Sequence, residues 1–319
     1  MTPPAASALT LPPGARTIAY LGPEATFTQQ ALLGQPDLAA LDARPISTIS
    51  DVLVAVAEGE VDLGLVPIEN AIEGAVTVTI DALAFDLDLL IQRELVIDVS
   101  LNLLGVKGTT LSDITEVSSY QVATAQCRKF VHERLPGAKV TAANSTAEAA
   151  EAVAAGGDKA KAAIGTSLAA EVYGLDIVAE EIEDHPGNQT RFVVVARDGL
   201  PQATGHDKTS VAVFQRADVP GSLLSILQEF AARGLSKLES RPTKKGLGDY
   251  CFLIDLEGHI DDELVADCLR DLKSKQADVR FLGSYPAAGD HGPELRRDSV
   301  AAWAEAAAWV EGLRRQIHD

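Results

Sequence analysis

The chain has 319 residues, 46% hydrophobic and 23% charged, with 27 Lys and Arg against 46 Asp and Glu for a formal net charge of −19. That length points to about two domains with ample core material. The acidic balance, with no basic stripe, excludes an ordinary nucleic-acid surface, and no charge-free apolar run is long enough to span a bilayer.

Residues 1–15 are rich in Pro and Ala and lack both the basic and the apolar regions of a secretory signal, so they are read as a disordered leader. Thr17 to Leu21 reads as a first strand broken by Gly22-Pro23, and Glu24 to Thr28 lead into an amphipathic helix ending near Gly34. A strand, a sharp turn and a helix start can aim backbone N–H groups at an anion; Thr26 as a simple N-cap is the alternative. Ser47 or Ser50 is expected to cap a second helix carrying Val52, Leu53 and Val56, with Gly59 at its end. Val61 to Val66 reads as a strand stopped by Pro67. The loop Ile68 to Val76, with Glu69, Asn70 and Glu73, then lies at a strand's C-terminal end, where open α/β sheets bind ligands. Solvated loop charges are the other reading of it.

Leu95 to Val106 is an apolar return segment, and a smaller α/β unit follows. Its expected elements are a strand ending at Ser119, a helix from about Val122 to Arg134 and a strand from Val140 to Ala143. Ser145 then opens a capping-box helix closed by Gly156-Gly157. Ala162 to Ser167 reads as a strand entering a helix, and Ile177 to Ile182 and Arg191 to Ala196 as the last strands. The βαβα alternation predicts a mostly parallel sheet, and the unit inserted between about 107 and 180 predicts two lobes with a cleft able to close on a ligand. Asn188-Gln189-Thr190-Arg191-Phe192 sits between a turn cluster and a β-branched run, at the rim of that sheet. Its amide, hydroxyl and guanidinium suit an anionic small molecule with a leaving hydroxyl, or else they are turn caps and a surface charge.

A linker is expected over Pro201 to Lys208. Beyond it come strand Thr209–Gln215, helix Ser222–Ala232, a strand with Leu238, strand Tyr250–Leu256, helix Asp261–Lys273 and strand Val279–Tyr285. This is the ferredoxin-like βαββαβ order, whose open edges invite pairing with a second copy. Val300, Trp303, Ala307, Val310 and Leu313 place an amphipathic helix over 293–319. The three cysteines, Cys127, Cys251 and Cys268, form no CxxC pair, and the six histidines show no ligand spacing with them. Reduced thiols in a cytoplasmic protein are the expectation, with neither disulfide nor zinc.

Tyr20-Leu21-Gly22-Pro23-Glu24, Thr26-Phe27, Pro67-Ile68-Glu69-Asn70, Glu73-Gly74 and Asn188-x-Thr190-Arg191-Phe192 together resemble prephenate dehydratase, as do Ser145 to Ala149 and Ala162 to Ala170. The later region, with Pro220-Gly221-Ser222-Leu223-Leu224 and Glu239-Ser240-Arg241-Pro242, resembles that family's regulatory ACT domain. The resemblance covers about residues 16 to 286. It implies an α/β fold with a bilobed, periplasmic-binding-protein-like catalytic domain over 16–200 and an ACT domain over 208–286. It also implies loss of the ring hydroxyl and ring carboxylate of prephenate to give phenylpyruvate for phenylalanine synthesis, with no cofactor or metal. Thr190 would then protonate the leaving group, Arg191 anchor a carboxylate or orient the loop, and Phe192 pack under the sheet. Thr26, Phe27, Glu69, Asn70, Ser119 and Asn188 would form the substrate site, with Glu69 and the neighbouring Glu73 orienting donors. L-Phenylalanine would bind the ACT residues quoted above in a homodimer, which can pair into a homotetramer.

The chain departs from the family pattern in places. Ala25 stands where Gly is usual and Ala71 where Ser is usual. Ser119-Tyr120-Gln121-Val122 replaces Ser-His-Pro-Gln, so only Ser119 carries over there. Arg233 to Lys237 is two residues shorter than the common form. Arogenate dehydratase, and further off a sensor without catalysis, are the competing readings.

Overall fold

The computed structural model describes residues 11–215, 221–230, 234–244, 246, 249–275, 277–289, 308–310 and 312–315. Pro220, Arg233, most of the leader and nearly all of the expected C-terminal helix lie outside the described residues; 308–310 and 312–314 are helical. The chain divides into two compact units, one of Gly14–Ala82 with Leu95–Val195, the other of Leu83–Glu94 with the chain from Ala196.

The first unit opens with β1 (Thr17–Leu21), α1 (Phe27–Leu33), the short α2 (Pro36–Ala39), β2 (Asp42–Ile46), α3 (Ile49–Glu58), β3 (Leu63–Asn70), the two-residue β4 (Gly74–Ala75) and α4 (Thr77–Asp81). A π-helical turn, Ala82–Asp86, leads to β5 (Leu90–Asp98). A second sheet is built from β6 (Asn102–Gly105), β7 (Glu116–Tyr120), α5 (Gln121–Gln126), α6 (Arg128–Arg134), β8 (Lys139–Ala143), α7 (Thr146–Gly156), β9 (Lys161–Gly165), α8 (Ser167–Tyr173) and β10 (Asp176–Ala179). The chain then returns to the first sheet as β11 (Gln189–Ala196).

The sheet orders are β2-β1-β3-β11-β5, with β4 on β3, and β10-β6-β9-β7-β8. The expectation of a mostly parallel sheet holds for only half of each. β1 pairs β2 and β3 in parallel, as β7 pairs β8 and β9. However, β11 runs antiparallel to β3, and β6 and β10 are antiparallel additions. Crossovers through helices join the parallel strands, while β6 and β11 follow the segments that cross between the two sheets. The apolar run Leu95 to Val106, one segment by composition, is divided between β5 and β6 for this reason.

Local signals explain most element ends. Thr26, Ser145 and Thr166 accept from the backbone two or three residues into α1, α7 and α8, and Gly59, Gly157 and Gly174 close α3, α7 and α8 in the left-handed conformation. The cap of α3 is Thr48, in place of the expected Ser47 or Ser50; its hydroxyl bonds Asp51 by both backbone and carboxylate. The expected helix Val122–Arg134 is two helices meeting at Cys127.

Pro67 does not stop β3. The strand continues through it to Asn70. Pairing with β1 ends at Leu65, and the register with β11 shifts between Arg191 and Phe192, leaving Ile68 as an extra residue on β3. That β-bulge sits beside Glu69 and Asn70.

In the second unit, β12 (Asp207–Gln215), α9 (Ser222–Phe230), β13 (Leu235–Pro242), β14 (Tyr250–Glu257), α10 (Glu263–Lys275) and β15 (Ala277–Pro286) follow the βαββαβ order. The sheet is antiparallel in the order β13-β14-β12-β15. Ile226 and Phe230 of α9 and Val265, Cys268 and Leu272 of α10 pack on Val211, Val213, Phe252 and Ile254. Leu83–Glu94 belongs to this unit: Phe85 meets Phe214 edge-on, Arg280 bonds Leu87 and Asp88, and Glu94 pairs with Lys208.

Candidate active site

The antiparallel register of β3 and β11 places Thr190 opposite Asn70 and Arg191 opposite Glu69. The Asn70 amide is the hub. Its Oδ1 accepts from the backbone N–H of Ile72 and of Glu73, both at 3.0 Å. Since those donors cannot be reversed, the amide has one orientation, with Nδ2 facing Thr190 Oγ1 at 2.9 Å, Asn188 Oδ1 at 3.0 Å and the Gln189 carbonyl at 3.2 Å. The chain of amides continues in one sense. Asn188 Nδ2 donates to Gln126 Oε1 at 3.2 Å, and Gln126 Nε2 donates to Glu73 Oε1 at 3.1 Å. Backbone donors fix one end and a carboxylate the other, so every amide between them is oriented.

Thr190 Oγ1 is therefore an acceptor from Asn70. Among the described residues its hydroxyl donates to no protein group, which leaves the hydrogen available to a ligand.

Arg191 Nη1 lies 3.4 Å from Glu69 Oε2, with the Arg side chain 11% and the Glu side chain 36% exposed. Phe192 is buried beneath the sheet, among the largest enclosed side chains.

Thr26, Phe27 and Ser119 stand outside this hydrogen-bonded cluster. Thr26 donates to the Leu21 carbonyl and caps α1. Phe27 packs against the core of the second sheet. Ser119 is fully buried and its hydroxyl donates to Ile164 at 2.7 Å.

The turn before Thr26 is tied to the second sheet. Ala25 is buried in that sheet's helix-covered cluster, its carbonyl accepts from Thr166 Oγ1 at 3.0 Å, and its N–H donates to Gln29 at 2.5 Å. It holds φ of 65°, a left-handed conformation that explains why Gly is the expected residue there. Tyr20, behind this turn, has its hydroxyl pushed up to about 12, first by burial, then by the charges of Glu24 and Tyr173.

Gln126 is the site residue that sequence reasoning missed. Its signal was a polar side chain on the same inward face of α5 as Ala123. Cys127 beside it is a fully buried thiol, raised to about 12 by burial and by Glu183 and Asp184. A surface cavity of about 870 Å³ lies on the other side of α5, lined by Gln121, Thr124, Arg128, Lys129 and His132; none of Asn70, Asn188 and Thr190 lines it.

Of the expected effector residues, Gly221 holds a positive φ just before α9, Ser222 opens that helix, and Leu223 and Leu224 are exposed on it. Glu239, Ser240, Arg241 and Pro242 lie on β13, the edge strand. Among the described residues no cluster of three or more His, Cys, Asp or Glu could hold a metal ion, and no helix is long and apolar enough to cross a membrane.

Residues 18–199 match the family model for prephenate dehydratase. The chain belongs to the prephenate dehydratase family. Prephenate dehydratase of Mycolicibacterium vanbaalenii is 44% identical over 313 residues, covering 93% of this chain and 98% of that one. A crystal structure of prephenate dehydratase from Arthrobacter aurescens, in complex with L-Phe, superposes with a TM-score of 0.84 at 42% identity, covering 94% of this chain and 99% of that one. A structure described as a novel type of quorum-quenching acylase, GqqA, is also similar, with a TM-score of 0.76 at 31% identity over 86% of this chain and 98% of its own. Membership in the prephenate dehydratase family thus extends through both units.

Proposed function

We propose that this prephenate dehydratase uses Thr190 as the group that delivers a proton to the departing ring hydroxyl of prephenate. The observation that carries the reading is the donor sense of the Asn70–Thr190 bond, which leaves the threonine hydrogen uncommitted. One proton enters, and the prephenate dianion becomes the phenylpyruvate monoanion, carbon dioxide and water. The electrons of the breaking C–carboxylate bond enter the ring as the C–O bond breaks, so aromatisation supplies the driving force. Threonine is a weak acid, so its help rests on preorganised dipoles in a site closed to water. The amide chain from Glu73 to Asn70 supplies fixed dipoles. Arg191, restrained by Glu69, orients β11 and contributes positive charge toward the substrate carboxylates.

The same reading makes the two sheets of the first unit the lobes of a periplasmic-binding-protein-like domain over 16–200, with a second lobe of about 107–180. Thr26, Phe27 and Ser119 contribute through the walls of the cleft between them. The βαββαβ unit over 208–286 is an ACT domain that pairs with a second copy and takes L-phenylalanine at Gly221–Leu224 and Glu239–Pro242, together with Pro220. The effector assignment is supported by the L-Phe complex of the Arthrobacter relative. The enzyme is a cytoplasmic carbon–oxygen lyase.

The test is Thr190→Val, which keeps shape and removes the hydroxyl. Turnover of prephenate to phenylpyruvate should be lost while circular dichroism and the melting temperature stay near the parent's. A Thr190→Val protein that turns over at the parent rate overturns the assignment. A kcat/KM that favours arogenate over prephenate replaces the substrate but not the mechanism. Hydrolysis of an N-acyl substrate without phenylpyruvate formation would move the chain toward the acylase activity named for GqqA.

A further inference from the structure

Strand β5 belongs to both units: the boundary between them falls inside it, between Glu94 and Leu95. Its first half is clamped within the C-terminal unit. Glu94 accepts from Lys208 Nζ at 3.0 and 2.8 Å and from the Ala288 N–H at 3.1 Å, with the Glu94 side chain 3% and the Lys208 side chain 18% exposed. Gln92 Nε2 donates to the Gly199 carbonyl at 3.0 Å. Gly283 of β15 lies so close that an added Cβ would sit 2.6 Å from the Ile91 carbonyl oxygen.

The far end of the same strand holds the candidate active site. Asp98, its last residue, accepts from Gln189 Nε2 at 2.8 Å, and the next N–H, of Val99, donates to the Asn188 carbonyl at 2.8 Å. Asn188 and Gln189 in turn share the Asn70 amide with Thr190.

We infer that β5 is the rod through which the C-terminal unit sets the geometry of the Asn188–Thr190 site, with Glu94 and Lys208 as positioning residues at its clamped end and Asp98 at its working end. A strand is stiff along its length, because each residue's reach is fixed by planar peptides and ladder bonds. A change in how the C-terminal sheet grips Leu90–Glu94 therefore moves Asp98 and Val99, and with them the backbone that carries Thr190. No direct contact of an effector with the substrate site is required. The inference rests on the effector reading above, since phenylalanine is the perturbation that loads the clamp.

The experiment compares the full-length parent with Glu94→Gln/Lys208→Met, a double change that removes both charges and leaves no lone buried ion. Calorimetry measures L-phenylalanine binding. Prephenate turnover gives the ratio of kcat/KM without and with saturating phenylalanine. In the parent the ratio should depart from unity by about 5–150-fold, the usual range of allosteric coupling. The double variant should bind phenylalanine as the parent does, while its ratio falls to about 1, the value for uncoupled sites. Lys208→Arg, which keeps the charge, should retain the parent's ratio. Amide hydrogen exchange gives a readout besides activity: phenylalanine should alter protection over Leu95–Val99 and Gln189–Arg191 in the parent but not in the double variant. Should the double variant fail to fold, Asp98→Ala tests the other end of the strand and should likewise lose the ratio and keep binding. A variant that binds phenylalanine and keeps the parent's ratio and exchange pattern overturns the inference alone. A parent that neither converts prephenate nor binds phenylalanine overturns the function reading, and this inference with it.

Discussion

Asn70→Asp is the most demanding perturbation of the site, because it exchanges one heavy atom, removes its two hydrogens and changes no shape. The parent Nδ2 has two hydrogens and faces Thr190 Oγ1, Asn188 Oδ1 and the Gln189 carbonyl within 3.2 Å, so two bonds' worth of donation disappears. At about 0.5–1.5 kcal/mol net for each bond, the cost in alignment is about 1–3 kcal/mol, or about 5–150-fold in kcat. A second effect adds to it. The new carboxylate oxygen faces Thr190 Oγ1 and captures its hydrogen, the one that the proposed mechanism gives to the leaving group. Asn70→Ala, in contrast, loosens Thr190 but leaves that hydrogen free. The expected order in kcat is therefore parent, then Asn70→Ala, then Asn70→Asp, with KM changing less than kcat. Steady-state kinetics of prephenate turnover on variants of matched melting temperature measures this order. If Asn70→Asp proves as active as Asn70→Ala or better, the donor-sense argument is refuted.

Gln126→Leu should cut kcat by about tenfold or more, since it leaves Asn188 Nδ2 and Glu73 without their partner; single-turnover rates decide it. Ala25→Gly should change stability by less than about 1 kcal/mol, because relief of the left-handed φ offsets the lost methyl burial, whereas Ala25→Val should cost about 2 kcal/mol or more by chemical denaturation. Gly64→Ala should cost about 1–3 kcal/mol, since the new Cβ lies 2.8 Å from Val56 and 3.1 Å from Val52; urea melts test it. Cys127 and Tyr20 are raised from 9.0 and 10.0 to about 12, so between those values the unfolded chain has released protons that the native state still holds. Stability should be unaffected by these groups below pH 9 and should fall as pH rises toward 12, read from urea midpoints across that range.

Much of this molecule is written in short-range signals. Thr26, Ser145 and the glycines after α3, α7 and α8 cap what their chemistry says they cap. The βαββαβ order is legible in the apolar runs beyond Lys208 and the turn residues between them. Where reading failed, the deciding interaction was distant. Pro67 was read as a stop because its bulge partner, Phe192, is 125 residues away in the chain. β2 was missed because Asp42–Ile46 buries little and owes its place to pairing with β1. In the site, Asn70, Asn188 and Thr190 were visible as polar residues at strand ends, but Gln126 was not. Its role exists only once α5 of the second sheet is brought against β11 of the first.

The extra residue at Ile68 has a bearing on how this enzyme can vary. On the core side of the bulge, β3 and β11 pair in one register, from Pro67 with Phe192 onward; on the site side, Asn70 meets Thr190 in another. The Asn70–Thr190 pairing is thereby uncoupled from the phase of the interior. Substitutions that reshape the valine-rich layer under the sheet need not turn the threonine hydroxyl to the wrong face, and a change at the rim need not unseat the layer below.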